Sequence, residues 1–221
     1  MSKNYIAIIG DLIDSKKSAD RENLQENLLE SFATINQNYG DIIASKLTIT
    51  LGDEFQVLIK PHHQVFQMID DIQRLIPHPI RFGIGYGSIA TEIDPEVSIG
   101  ADGPAYWHAR SAIESVKQHD YSGNLRQVFT GLEGKDDTIN TLLLLTDTIR
   151  SSWTKTQLYV FNGLLETGIY QQSFNQKALA KKLELSPSAL SKRLNSANIK
   201  IYLAGKEQLA RFIQEVDDTD S

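Results

Sequence analysis

Leu47-Thr48-Ile49-Thr50-Leu51-Gly52-Asp53-Glu54-Phe55-Gln56-Val57-Leu58-Ile59 reads as two strands folded back on each other, with two carboxylates at the tip. Leu47, Ile49 and Leu51 alternate with Thr48 and Thr50, and Phe55, Val57 and Ile59 repeat the alternation beyond the turn. β-branched and aromatic side chains at a period of two suit strands with one buried face. Gly52 supplies the backbone freedom that a tight reversal needs. The turn therefore presents Asp53 and Glu54 side by side. Solvated turns often carry such residues, so the hairpin gains meaning only from a second stretch.

That stretch is Tyr5-Ile6-Ala7-Ile8-Ile9-Gly10-Asp11, an apolar run that also ends in Gly-Asp and is followed by Leu12-Ile13-Asp14-Ser15-Lys16-Lys17. A carboxylate that closes a buried strand is costly unless it has a partner. With the two strands as neighbours, Asp11 and Asp53 converge, and their repulsion asks for a proton or a cation between them. Oxygen ligands from two strand ends suit Mg2+ or Mn2+, with the carboxylates roughly 3–6 Å apart across the site.

The intervening elements arrange these strands. Leu24, Leu28, Phe32 and Ile35 mark one face of a helix that Gly40 ends. After the hairpin, Pro61 opens a second helix carrying Val65, Met68, Ile69, Ile72 and Leu75, stopped by Pro77 and Pro79. Ile80 to Ile89 is a strand with glycines at 83, 85 and 87, a pattern that predicts close approach of another backbone or a ligand. The order βαββαβ predicts an α/β (α+β) domain of ferredoxin-like topology, with an antiparallel sheet and helices on one face. Gly100 to Gln118 reads as a further helix, Arg126 to Leu132 as a fifth strand, and Leu142 to Ile149 as helix.

A length of 221 residues fits one large or two small domains. The net charge of −6 counts against a chain that coats nucleic acid along its whole length. The absence of cysteine excludes disulfides, thiolate catalysis and zinc–thiolate sites. No apolar run approaches the roughly 20 residues of a membrane helix, and Asp11 interrupts the early run. A cytoplasmic protein without a membrane partner is expected. The five histidines share no metal-ligand spacing and read as structural, and Trp107 and Trp153 read as packing anchors.

Composition changes near Ser151. From Asn175 to Lys206 seven basic residues (Lys177, Lys181, Lys182, Lys192, Arg193, Lys200, Lys206) face one acidic residue, Glu184. Two short helices are marked there, Gln176 to Leu183 and Pro187 to Ser196, with a supporting helix from Thr154 to Glu166. Ala180 is small where the pair crosses, Leu185 fills the turn and Ser186 caps the second helix, the pattern of a helix-turn-helix. Duplex DNA is the implied partner, with Lys177, Lys181, Lys182 and Lys200 on phosphates and Ser188, Ser191, Lys192, Arg193 and Asn195 along the recognition helix.

On these residues the first ~135 positions resemble the palm domain of class III nucleotidyl cyclases and diguanylate cyclases. The whole chain, palm plus helix-turn-helix, is similar to the SatD family. The resemblance implies a palm over residues 1–135, a connecting helix over 136–152 and a helix-turn-helix domain over 153–221. It implies catalytic roles for Asp11, Asp53, Glu54 and Arg110, and metal ligation by Asp11, Leu12 and Asp53. Leu12, Ile13, Asp14, Ser15 and Lys16 would lie against a nucleoside triphosphate. Gly100 to Arg110 corresponds to the cyclase helix that offers an Asn and an Arg; Arg110 matches the Arg, and Tyr106 stands where the Asn falls. Leu51 replaces the first of two glycines in the diguanylate cyclase hairpin, and Ile49 replaces the purine-selecting Lys of adenylyl cyclases. The favoured expectation is a homodimeric, ligand-responsive DNA-binding regulator; the alternatives are an active two-metal nucleotidyl cyclase or nucleotidyltransferase, and a protein–protein adaptor.

Overall fold

Five strands make one sheet in the computed structural model, which describes residues 3–14 and 21–219, with backbone alone at 21, 22 and 216–219. They are β1 (Asn4–Leu12), β2 (Ile43–Leu51), β3 (Glu54–Ile59), β4 (Ile80–Ser88) and β5 (Gln127–Thr130), in the order β2-β3-β1-β4-β5. The first four pair antiparallel as expected. β5 instead joins β4 in parallel, Ile84 opposite Phe129. A helix crosses the sheet between them, and such a crossover returns the chain in the same direction.

Alternation along β1 sorts the side chains. Ile6, Ile8 and Leu12, with Phe55, Val57, Ile59, Phe82 and Ile84, share one core with α1 (Arg21–Asn38) and α2 (Val65–Leu75). Leu24, Leu28, Phe32 and Ile35 of α1 enter that core, and the rings of Phe32 and Phe55 meet edge-on at 5.0 Å. The opposite face carries Ala7, Ile9 and Leu58 against α3 (Pro104–Gln118). Helices therefore cover both faces, a correction to the one-faced expectation. The glycines of β4 explain the second layer. A Cβ at Gly83 would lie 2.3 Å from the Ala109 carbonyl oxygen, and one at Gly85 would lie 2.1 Å from that of Ala105. α3 starts at Pro104, later than expected, because Gly100 and Gly103 take positive φ (+90° and +145°) that no helix contains. α2 likewise starts at Val65, four residues after Pro61.

Five helices complete the chain: α4 (Asp136–Ser151), α5 (Lys155–Glu166), α6 (Gln176–Lys182), α7 (Pro187–Ser196) and α8 (Ile199–Thr219). Asn175 caps α6 and Ser186 caps α7, each side-chain oxygen accepting from helix amides. Ala180 is buried and Leu185 packs against the same small core, as the sequence suggests. α8 was not foreseen. Its Ile199, Tyr202 and Leu203 belong to the core of α5–α7, while Leu209, Ala210 and Ile213 enter the core of the sheet. One helix thus joins both cores.

The joint is polar at its centre. Asp70 of α2, fully buried, accepts from the hydroxyls of Tyr202 (2.7 Å) and Tyr170 and from Arg150 (3.2 Å). Lys206 of α8, also fully buried, donates to Gln127 at 3.2 Å. Counted from composition as part of a basic surface, Lys206 contributes nothing to one. No helix among the described residues is long and apolar enough to cross a membrane.

Candidate functional site

Asp11 sits at the end of β1 on the α3 face, opposite Glu54 on one neighbour strand and Arg81 on the other. Its side chain is only 16 % exposed. One carboxylate oxygen is 3.6 Å from Arg81 and the other 3.8 Å from Lys117 of α3. Both distances exceed a hydrogen bond. Burial raises the Asp11 pKa above its ordinary value; Lys117 lowers it, Asp53 raises it, Arg81 lowers it and Glu54 raises it. Asp53 and Glu54 therefore both act on Asp11 through space. Arg81 adds an unusual feature, a buried Nε with no hydrogen-bond acceptor.

Glu54 and Arg110, which the sequence assigned separately, meet each other. The Arg110 guanidinium donates to both Glu54 oxygens at 2.8 and 2.7 Å. Thr50 donates to the Glu54 carbonyl at 3.1 Å and to its carboxylate at 3.3 Å, holding the hairpin tip. Tyr106, at the position matched to an Asn, turns into the core between α3 and the sheet. Its phenol lies beside Ser98, and burial raises its pKa. The segment after β1 is also committed: the Leu12 amide donates to the Asp53 carbonyl (3.2 Å) and the Ile13 amide to the Pro79 carbonyl (2.9 Å). Neither N–H is left for a phosphate, and the Leu12 side chain is buried. Asp14 is exposed, with φ +59°. Ser15 and Lys16 lie outside the described residues.

Two cations of this site escaped the sequence reading. Lys117 lies two helical turns beyond Arg110, a seven-residue spacing that places both on one face of α3. Arg81 interrupts the apolar-glycine alternation of β4 at the register of Asp11. Among the described residues no group of three or more His, Asp or Glu side chains is placed to hold a metal ion. The donor set at β1 and the hairpin still fits a divalent ion bound with a nucleotide. Mg2+ takes only one or two protein carboxylates and completes its shell with water and phosphate. The Arg81 guanidinium lies beside the same carboxylate, and its buried Nε has no acceptor.

Along α6, α7 and the start of α8, Lys177, Lys181, Lys182, Ser188, Lys192 and Asn195 are exposed, while Ser191, Arg193 and Lys200 are partly covered. Lys200 lies over the Phe174 ring at 5.7 Å, and Lys182 reaches the Glu166 carbonyl at 3.4 Å.

Solved structures with a similar chain trace share little sequence. A bacterial light-regulated adenylyl cyclase is 16 % identical, over 59 % of this chain and 77 % of that one, at a TM-score of 0.43. The catalytic core of a rhodopsin-guanylyl cyclase with converted specificity, in complex with ATPalphaS, is 15 % identical over 49 % and 71 %, at 0.37. A non-canonical dimeric guanylyl cyclase domain of the RhoGC fusion protein from the aquatic fungus Blastocladiella emersonii is 13 % identical over 49 % and 72 %, also at 0.37. No curated protein matches the sequence. The SatD family profile matches residues 5–213, nearly the whole chain, and the protein belongs to the SatD family.

Proposed function

We propose that this protein is a regulator whose sheet domain binds a nucleoside triphosphate with Mg2+ or Mn2+ and whose α6–α7 pair binds duplex DNA. The observation that carries the reading is the largely buried Asp11 carboxylate, with Asp53 and Glu54 in electrostatic range and the Arg81 guanidinium beside it. Asp11 and Asp53 would hold the divalent ion, which when bound neutralises their repulsion and the charge of the phosphates. Arg81 and Lys117 would meet phosphate oxygens. Lys117 gives one donor to Glu114 at 3.4 Å, and the distances to Asp11 leave both cations with donors to spare. Tyr106 is buried and Arg110 is held by Glu54, so neither projects as a free group toward a reacting phosphate. That arrangement favours binding over turnover, and a ligand-responsive role over an active cyclase or nucleotidyltransferase.

Calorimetry with each nucleoside triphosphate and Mn2+ tests the assignment. Binding should require metal, and Asp11→Asn and Asp53→Asn should each lower affinity at least tenfold. Wild-type affinity in either variant, or none in the wild type, sinks it. Chromatography of the same mixtures separates the two readings: unchanged nucleotide supports the regulator, and a cyclised or transferred product supports the enzyme. A homodimer is the proposed DNA-binding form, because one two-helix unit covers little of a groove.

A further inference from the structure

A second polar cleft lies where α2, β4, β5 and α4 meet, with a volume of about 290 Å³. Gln73, His78, Arg126, Asp147 and Arg150 line it, with Pro79 and Ile80 as its apolar wall. Two of these carry buried nitrogens with no partner, Gln73 Nε2 and His78 Nδ1. An unpaired buried polar atom is uncommon and costs about 1–3 kcal/mol, so two on one cleft wall need an explanation.

The charges of the cleft do not cancel. Arg150 is spent on Asp70 and stacks over the rings of Phe161 and Trp153. Asp147 accepts from the Arg126 and Gln127 amides and from the Gln127 side chain, at 2.7–2.9 Å, and its charge is offset by the buried Lys206 ammonium. Arg126 uses only its backbone in that arrangement, and its guanidinium has no carboxylate partner among the described residues. What remains is one uncompensated guanidinium beside two unpaired nitrogens and a small apolar wall.

We propose that this cleft binds a small organic anion, a carboxylate or a phosphate monoester, through the Arg126 fork with Gln73 and His78. A guanidinium meets either oxyanion with two parallel hydrogen bonds, and the amide and imidazole N–H groups supply further donors. The Pro79–Ile80 wall takes the organic part. The position gives the site a regulatory reach. Pro79 accepts from Ile13, just after Asp11, and Arg150 touches the Asp70 cluster that anchors α8.

The test uses the full chain without nucleotide, titrated by calorimetry with inorganic phosphate and with acetate at constant ionic strength. Saturable binding of either anion is expected; phosphate alone assigns the monoester class, and acetate alone the carboxylate class. Arg126→Gln should weaken it at least tenfold. Arg126→Lys, which keeps the charge without the fork, should fall between, and His78→Ala covers the case in which an Arg126 variant does not fold. Lys155→Ala, an exposed lysine on α5 outside both sites, should bind as wild type. Absence of saturable binding overturns the proposal. So does binding that is lost in Lys117→Ala and kept in Arg126→Gln and His78→Ala. These outcomes are independent of whether a nucleotide binds at Asp11.

Discussion

Residues at the two ends of the sheet differ in what their charges cost. The Glu54–Arg110 pair lies at the surface, Arg110 being half exposed, so its contribution to stability is screened. Arg110→Ala should shift the urea midpoint by the equivalent of less than about 1 kcal/mol. A larger loss would mean that the pair holds the hairpin in place. Asp147 is different because it is almost fully buried, and burial lifts its pKa from 3.8 to about 6, against the opposing pull of Lys206 and three N–H donors. The folded state therefore holds this proton more tightly than the unfolded chain. The associated stability is present below the unfolded pKa of 3.8 and lost as pH rises through about 6. Compared with Asp147→Asn across pH 4 to 7 in urea titrations, the wild type should lose on the order of 3 kcal/mol as pH rises. A flat difference curve would show that Asp147 keeps an ordinary pKa. Asp11 was legible from its place at a strand end, whereas Asp147 was not. In sequence it is one of several polar residues in α4, and nothing local shows that it caps the start of β5 from 20 residues away.

At the scale of elements, the β4 glycines and the α6–α7 pair each carry a prediction. Gly83 and Gly85 face α3 backbone, which cannot move aside as a side-chain tip can. Gly85→Ala should lower stability by about 3 kcal/mol or more, the upper end of what overpacking costs, because the clash is with backbone. Gly52→Ala meets no atom within 4 Å and costs only its positive φ, about 1–2 kcal/mol. Equal melting-temperature losses at both positions would refute the close-approach account. Alternating glycines revealed that something presses on β4, and the structure identifies α3 as that neighbour. The covered second face was not legible, because periodicity tells which side of a strand is apolar but not which later helix covers it. The α6–α7 pair was legible from its caps, Asn175 and Ser186. For its proposed DNA contacts, Lys192→Ala with Arg193→Ala should weaken duplex binding and reduce the slope of log affinity against log salt by roughly 2. Unchanged binding and slope in fluorescence anisotropy would remove α7 from the interface.

Across the whole molecule, α8 determines how the two cores behave. Its apolar positions Ile199, Tyr202, Leu203, Leu209, Ala210 and Ile213 follow helical spacing, but Lys206 interrupts them, and composition alone read that lysine as surface charge. Burial pushes its pKa down, while Asp70 and Asp147 pull it back up. The fully buried ammonium also lies 5.1 Å from the centre of the Phe66 ring. Such a group tolerates neither half leaving, because separation would strand Asp70, Arg150 and Lys206 without their partners, and an uncompensated buried charge costs several kcal/mol. The sheet and the α5–α7 core should therefore unfold together. Two tryptophans report on this separately: Trp107, exposed on α3 and so not the packing anchor expected of it, donates its indole N–H to Asp102, and Trp153 packs between Phe161 and Tyr202 in the second core. In urea, Trp107→Phe leaves Trp153 as the fluorescent probe and Trp153→Phe leaves Trp107. Each fluorescence midpoint should coincide with the far-ultraviolet circular dichroism midpoint of the same variant. Tyr202→Phe should move both probes to lower urea by the same amount, since it removes a hydroxyl that bonds Asp70 at the joint. If the Trp153 signal were lost before the Trp107 signal, the α5–α7 core would be an independently folding unit, and α8 would be a contact between domains instead of a shared part of both.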